Sequence, residues 1–273
     1  MNIPACRYSI YARFYCTIMP ILYHLAVAIK AKLYYNAFGT NMNFIYMEAS
    51  MKRFKITDLF IGIIFTLLFI SLAVVVTINF RPLYYIDINI LHIQEDSGLV
   101  RSDIINNYNT LIDYCSPFFS GALEFPTLAA SANGLTHFEE VKNIFVSFFY
   151  IGALTMVLGI IIIIQKAKNK DYTYLLVSGI TAVVLPMILG TIFFLDFDRA
   201  FIAFHEMFFK NNYWIFDPST DPVIYILPET FFLHCALLIV FLVLLFSIIF
   251  IMIYFWERQH SSIKYRKNKG LKI

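Results

Sequence analysis

Residues 196–232 read DFDRAFIAFHEMFFKNNYWIFDPSTDPVIYILPETFF, and the reading of this stretch decides how the chain is laid out. It holds six acids, two bases, a histidine and three prolines, yet it lies between two long apolar runs. A mixed segment of this length between hydrophobic spans is more often a functional site than a tether. Residues 199–210 have helical spacing. His205 shares a face with Phe201 and Phe209 four residues away, and with Ile202 and Phe208 three away. An imidazole on such a stripe needs a polar partner or has its pKa moved by desolvation. Taken alone, a satisfied core histidine is the commoner outcome.

Outward from this stretch, the chain is built for lipid. Of its 273 residues 60% are hydrophobic and 14% charged, where a soluble domain carries about a quarter charged. Four apolar runs, at 59–80, 144–164, 174–195 and 231–255, each come near the roughly 20 residues that cross a hydrocarbon core. Lys52, Arg53 and Lys55 precede the first, Lys166, Lys168 and Lys170 separate the second and third, and six bases from Arg258 to Lys272 follow the fourth. The segments 81–143 and 196–230 hold only Arg81, Arg101, Lys142, Arg199 and Lys210. Basic residues stay on the cytoplasmic side, so both termini are expected inside and the two sparsely basic segments outside.

The expected organisation is an N-terminal extension over 1–50 and a cytoplasmic start with the first span over 51–80. An outer segment follows over 81–143, then the second and third spans with a short cytoplasmic loop over 144–195. A second outer segment covers 196–230, and the fourth span with a basic tail covers 231–273. Met51 opens MKRFKITDLF, a natural cytoplasmic start, and is expected to be the first translated residue. The two outer segments are long enough together for a small domain. Residues 83–93, LYYIDINILHI, alternate in part and are β-prone, predicting a strand. Residues 102–114 have helical spacing at Ile105, Tyr108 and Ile112. The expected fold is thus an α-helical polytopic membrane protein, with four transmembrane helices and a small mixed α/β extracytoplasmic domain.

Several chemistries find no support in the residues. GxGxxG, P-loop, HExxH and GxSxG are all missing from the sequence. Bases do not interleave with aromatics on a polar surface, so nucleic acid is not an expected partner. Four cysteines give no disulfide framework, and Cys115 alone falls in the outer segments, so no structural disulfide is expected.

What remains is a second outer block, with Asn133-Gly134 and His137-Phe-Glu-Glu-Val-Lys142 just before the second span. His137 and His205 enter from different spans at one depth, about a turn outside the bilayer, and can converge. Two histidines do not make a zinc site, which needs three protein ligands. No spacing singles out a third among Glu139, Asp198, Asp217 and Asp221, so no metal is expected. Asp217-Pro218 and Asp221-Pro222 are turn signals first. Arg199 and Lys142 can bind lipid phosphates or pair with Asp196 and Glu139. Asn212 and Trp214 can donate to an oxyanion or a substrate carbonyl, or can be turn and interface residues.

The blocks NGLTHFEEVK, from Asn133 to Lys142, and RAFIAFHEMFFKNNYWIFDPSTDPVI, from Arg199 to Ile224, resemble the bacterial lipoprotein intramolecular transacylases. The resemblance runs from about Lys52 to the last span. It implies a four-span membrane acyltransferase in the cell membrane of low-GC Gram-positive bacteria, acting outside on diacylglyceryl-modified lipoproteins among membrane lipids. The sn-2 acyl chain would pass from glycerol to the cysteine's own α-amine, with no cofactor. His137 and His205 would be the catalytic pair, one as base and one as acid, in an order the sequence leaves open. Arg199, Asn212, Trp214, Asp217, Asp221 and Lys142 are the substrate-binding or oxyanion candidates. Two other readings stand beside this one: an outer-leaflet lipid hydrolase using the same histidines with water, and a non-enzymatic envelope or transport protein.

Overall fold

A computed structural model describes residues 55–268; the expectations for 1–50 and for Met51 fall outside them. The chain runs α1 (Ile56–Asn79), α2 (Arg81–Ile90), α3 (Ile93–Ser97), α4 (Arg101–Tyr114), α5 (Ala132–Lys168), α6 (Thr173–Leu195), α7 (Phe197–Phe208), α8 (Val223–Ile226) and α9 (Glu229–Asn268). Three of these, α1, α5 and the part of α9 over Glu229–Ser261, are long and apolar enough to cross a membrane. The described apolar stretch of α6, Thr173–Ile188, is shorter.

The hub is α1, which packs against α5, α6 and α9, while α6 and α9 also pack together. Lipid tails offer helices no hydrophobic gain on association, so close packing has to hold them. Phe65 and Phe69 of α1 enclose Phe250 of α9 edge-on, with ring centroids 4.9 and 4.8 Å away. Each such pair adds about 1 kcal/mol beyond contact area. Gly179 of α6 lets α9 approach: a Cβ there would come within 2.6 Å of Ile251 and 3.0 Å of the Ser247 carbonyl.

Above the bundle lies a second core built from both outer segments. Tyr84 of α2 stacks on Tyr108 of α4 at 3.7 Å between centroids, with Phe231 of α9 edge-on at 5.1 Å. The Tyr84 hydroxyl donates to the Ile226 carbonyl of α8 at 2.7 Å. Ile88, Ile93, Ile104, Leu111 and Val223 complete the cluster. Asn107 reaches the connection between α4 and α5, donating to Thr127 Oγ1 at 2.6 Å.

This outer layer corrects the expected mixed α/β domain. There is no strand among the described residues, and most of the predicted strand over 83–93 is α2. Its buried residues, Tyr84, Asp87 and Ile88, follow a period of three and four, not two. Pro82 in the first turn has the backbone angle a helix start requires. The β preference of the tyrosines and isoleucines is a weaker bias, which packing of this face overrides. The helix expected over 102–114 is α4, rotated slightly from the expected face: Ile104, Asn107, Tyr108 and Leu111 are buried, with Ile105 and Ile112 only flanking.

Candidate active site

His137 lies in the second turn of α5, before the apolar part of that helix begins. Ser131 caps the helix, its hydroxyl accepting from Gly134 N–H at 3.0 Å. A second cap arrives from far along the chain. Asp221, buried to 3% exposure, accepts from Ser131 N–H at 2.8 Å through Oδ1 and from the Thr220 hydroxyl at 2.7 Å through Oδ2. A carboxylate suits the positive end of a helix. Gly134 is required beside it, because a Cβ there would fall 2.2 Å from Asp221 Oδ1. Asp221 is therefore the brace that sets where the His137 helix begins.

His205 comes from α7, whose N-terminus is capped by Asp196 accepting from Arg199 N–H at 3.1 Å. Its Nδ1 donates to the Phe201 carbonyl at 2.8 Å. In the neutral ring that bond leaves Nε2 as a bare lone pair. Burial lowers the His205 pKa below its ordinary 6.5, partly opposed by the bond to Phe201. His137 is only 5% exposed. Burial, with His205 nearby as the second cause, takes its pKa from 6.5 to about 4, so it is neutral near pH 7. Its Nδ1 is buried with no hydrogen-bond partner among the described residues.

The two imidazoles stand 6.0 Å apart between centroids. Phe209 lies against both, 4.6 Å from His137 and 5.6 Å from His205. Trp214 stacks on His205 at 4.7 Å, and Phe216 meets His137 at 5.6 Å. A pair of neutral imidazoles in an aromatic cage can take a proton from one group and offer a hydrogen bond to another with little water present.

Of the other sequence candidates, only Trp214 reaches the pair. Arg199 is 88% exposed and pairs with Asp196 at 3.0 Å. Lys142 turns the other way, donating to the Phe119 carbonyl at 3.1 Å and lying over the Tyr114 ring at 4.3 Å. Asn212 is exposed and its carbonyl accepts from Ile215 N–H at 3.1 Å. Asp217 closes an exposed turn; the Ser219 hydroxyl and then its N–H hold the carboxyl below its usual range. Among the described residues no three His, Cys, Asp or Glu side chains gather as a metal site would require.

Two polar contacts were not foreseen from the sequence. Asn211 donates to Glu140 Oε1 at 2.8 Å, tying the loop between Phe209 and Trp214 to α5. His234 Nδ1 lies 2.9 Å from both oxygens of Asp87, which is buried, so the histidine ties α9 to α2 of the outer layer. Glu140 was within reach, since it sits three residues after His137 on the same helical face.

Comparison with known proteins follows the same lines. The family model described as lipoprotein intramolecular transacylase Lit matches residues 59–232. The solved structure of the membrane integral lipoprotein intramolecular transacylase Lit from Bacillus cereus is 34% identical with a TM-score of 0.73, covering 76% of this chain and 98% of that one. A variant of the same protein with one histidine replaced gives 33% identity and a TM-score of 0.71, covering 80% and 99%. An uncharacterized protein of Aquifex aeolicus is 34% identical over 113 residues, which are 41% of this chain and 50% of that one. The match thus spans half the length of that relative.

Proposed function

The chain belongs to the lipoprotein intramolecular transacylase family, and from that premise we propose that it rearranges the N-terminal diacylglyceryl-cysteine of a lipoprotein. The sn-2 ester of the glycerol is the acyl donor and the cysteine's own α-amine the acceptor, giving an N-acyl, S-monoacylglyceryl (lyso) product. The observation that supports this most is the His137–His205 pair, 6.0 Å apart and held neutral by burial.

His205 is the base. With Nδ1–H committed to Phe201, its Nε2 lone pair takes the proton that the α-amine sheds as the C–N bond forms. His137, too acidic an imidazolium to stay protonated, acts as a neutral hydrogen-bond donor to the carbonyl oxygen as it becomes an oxyanion. Collapse breaks the bond to the sn-2 oxygen, and the His205 imidazolium returns its proton to that leaving oxygen. Nucleophile and ester belong to one molecule, so much of the entropic barrier is already absent. This sequence consumes no ATP and needs no cofactor.

The site faces outward, formed by segments 81–143 and 196–230, with both termini cytoplasmic and α6 making the fourth crossing; the basic residues support this orientation. The test is expression in a bacterium lacking N-terminal lipoprotein acylation, followed by fragmentation of a reporter lipopeptide. Acyl migration leaves the diacylglyceryl mass unchanged and moves one chain to nitrogen. Loss of an acyl mass would instead establish a hydrolase.

A further inference from the structure

We propose that Glu140 binds the α-amino group of the substrate's N-terminal cysteine, extending the transacylase reading above to the residue that recognises the nucleophile. One carboxylate oxygen, Oε1, is taken by Asn211 at 2.8 Å. The other, Oε2, is buried and has no hydrogen-bond partner among the described residues. The buried side-chain atoms in that condition are the hydroxyls of Ser71, Thr77 and Ser178, His137 Nδ1 and Glu140 Oε2. Only the last two belong to ionisable side chains, and they are three residues apart on one face of α5. A buried carboxylate oxygen without a partner is costly, and a native structure keeps one where a ligand completes it.

The place of Glu140 says what that ligand is. Asn211 lies in the loop between Phe209, which touches both histidine rings, and Trp214, which stacks on His205. The carboxylate is thus held at the rim of the cage in which the ester carbonyl reacts. A negative, acceptor-only group suits a primary amine or ammonium, and the lipid part of the substrate carries no such cation near its esters. The amine docks in its neutral form, its ammonium proton left in water, and keeps one N–H on Oε2, which fixes its lone pair towards the carbonyl carbon. As the C–N bond forms, nitrogen gains positive charge beside the carboxylate, and its second proton passes to His205. Glu140 itself gains and loses nothing. Its contribution rises from bound substrate to transition state, so it acts on kcat as well as on binding.

The test uses the full-length enzyme in detergent and two unreactive ligands. Both are diether analogues of the diacylglyceryl-cysteine lipopeptide, one with a free amine and one N-acetylated. The intact enzyme should bind the free amine at least about tenfold more tightly, the scale of a charge-assisted hydrogen bond. Glu140→Gln keeps an oxygen for Asn211 but loses the charge. It should bring the two analogues within about twofold of each other and lower kcat on the ester substrate about tenfold or more. Asn211→Ala frees the loop but leaves the carboxylate, and should keep the preference for the free amine. If Glu140→Gln keeps that preference and normal kcat, Glu140 only tethers the loop and the proposal fails. An intact enzyme that binds both analogues equally also overturns it, while leaving the transacylase reading in place. An enzyme that binds neither overturns that reading itself. Should Glu140→Gln not fold, loss of the preference in Asn211→Ala would assign the effect to the tether and defeat the proposal, and its retention would support it.

Discussion

The two ends of the helical bundle differ in how far their buried polar groups are satisfied. Where α1 begins and α5 ends, the buried carboxylates have partners. Asp58, 1% exposed, accepts from Lys166 Nζ at 2.7 Å through one oxygen and from Lys55 N–H at 3.2 Å through the other. Lys166 also lies 3.5 Å from Asp171, and Lys55 lies 3.8 Å from the same carboxylate. At the other end Asp87 and Asp221 are partnered too, but His137 Nδ1 and Glu140 Oε2 are buried without partners among the described residues. Saturated polar groups lock helices in place, whereas unsaturated ones hold potential for a ligand or a proton. The contrast separates a clamp from the proposed workplace within a single chain.

The strongest test breaks the workplace. His137→Ala and His205→Ala should each lower acyl transfer at least about a hundredfold, the scale of a lost acid, base or oxyanion donor. Protein level and melting temperature should change little. The double variant should lose about as much as the worse single one, because the pair acts as a unit. A loss equal to the product of the two would mean that they work independently.

Breaking the clamp should give the inverse pattern. Asp58→Ala leaves the largely buried Lys166 with only its longer contact to Asp171 and should cost about 3 kcal/mol of stability. Activity per folded molecule should stay near normal, as thermal melting and specific activity together would show. Replacing both members, as Asp58→Leu with Lys166→Met, should recover most of the stability. Failure to recover would mean that the pair contributes more than mutual neutralisation.

Asp221→Ala should fall between these, because it touches both fold and site. Loss of a cap costs about 1–2 kcal/mol. Here it also frees the first turn of the helix that aims His137, so kcat should fall while KM for the lipopeptide moves less. A variant with lowered stability and unchanged kcat would place Asp221 entirely on the structural side.

The mildest effect comes from pH. His205 must be neutral to accept a proton, and its pKa is lowered from 6.5. The kcat profile should therefore be flat through neutral pH and fall only as pH drops below 6.5, the neutral form being the active one. An acid limb centred above 6.5 would assign the proton to another group.

How far these contrasts could be read beforehand differs by region. The apolar runs and their flanking lysines announce the bundle, because a lipid environment admits few alternatives to a long apolar helix. Both histidines could be placed, since each lies on an amphipathic segment next to a span. The outer layer was misread at 83–93, where isoleucine and tyrosine favour a strand but the surrounding packing selects a helix. Trp214 was expected as a hydrogen-bond donor or interface residue and is found stacked on His205, while Arg199 and Lys142 take local partners. The Glu140–Asn211 bond joins residues 71 positions apart. Polar pairing over that distance leaves no periodic trace in one sequence.

The brace between Ser131 and Asp221 spans 90 positions of chain. During synthesis the His137 helix leaves the ribosome long before the carboxylate that fixes its first turn exists. Both α6 and α7 must follow it, and so must the loop bearing Phe209 and Trp214. A chain stalled or cleaved before residue 221 would carry both histidines without the part that sets their spacing. The first turn of the His137 helix therefore reaches its final form only after residue 221 has been made.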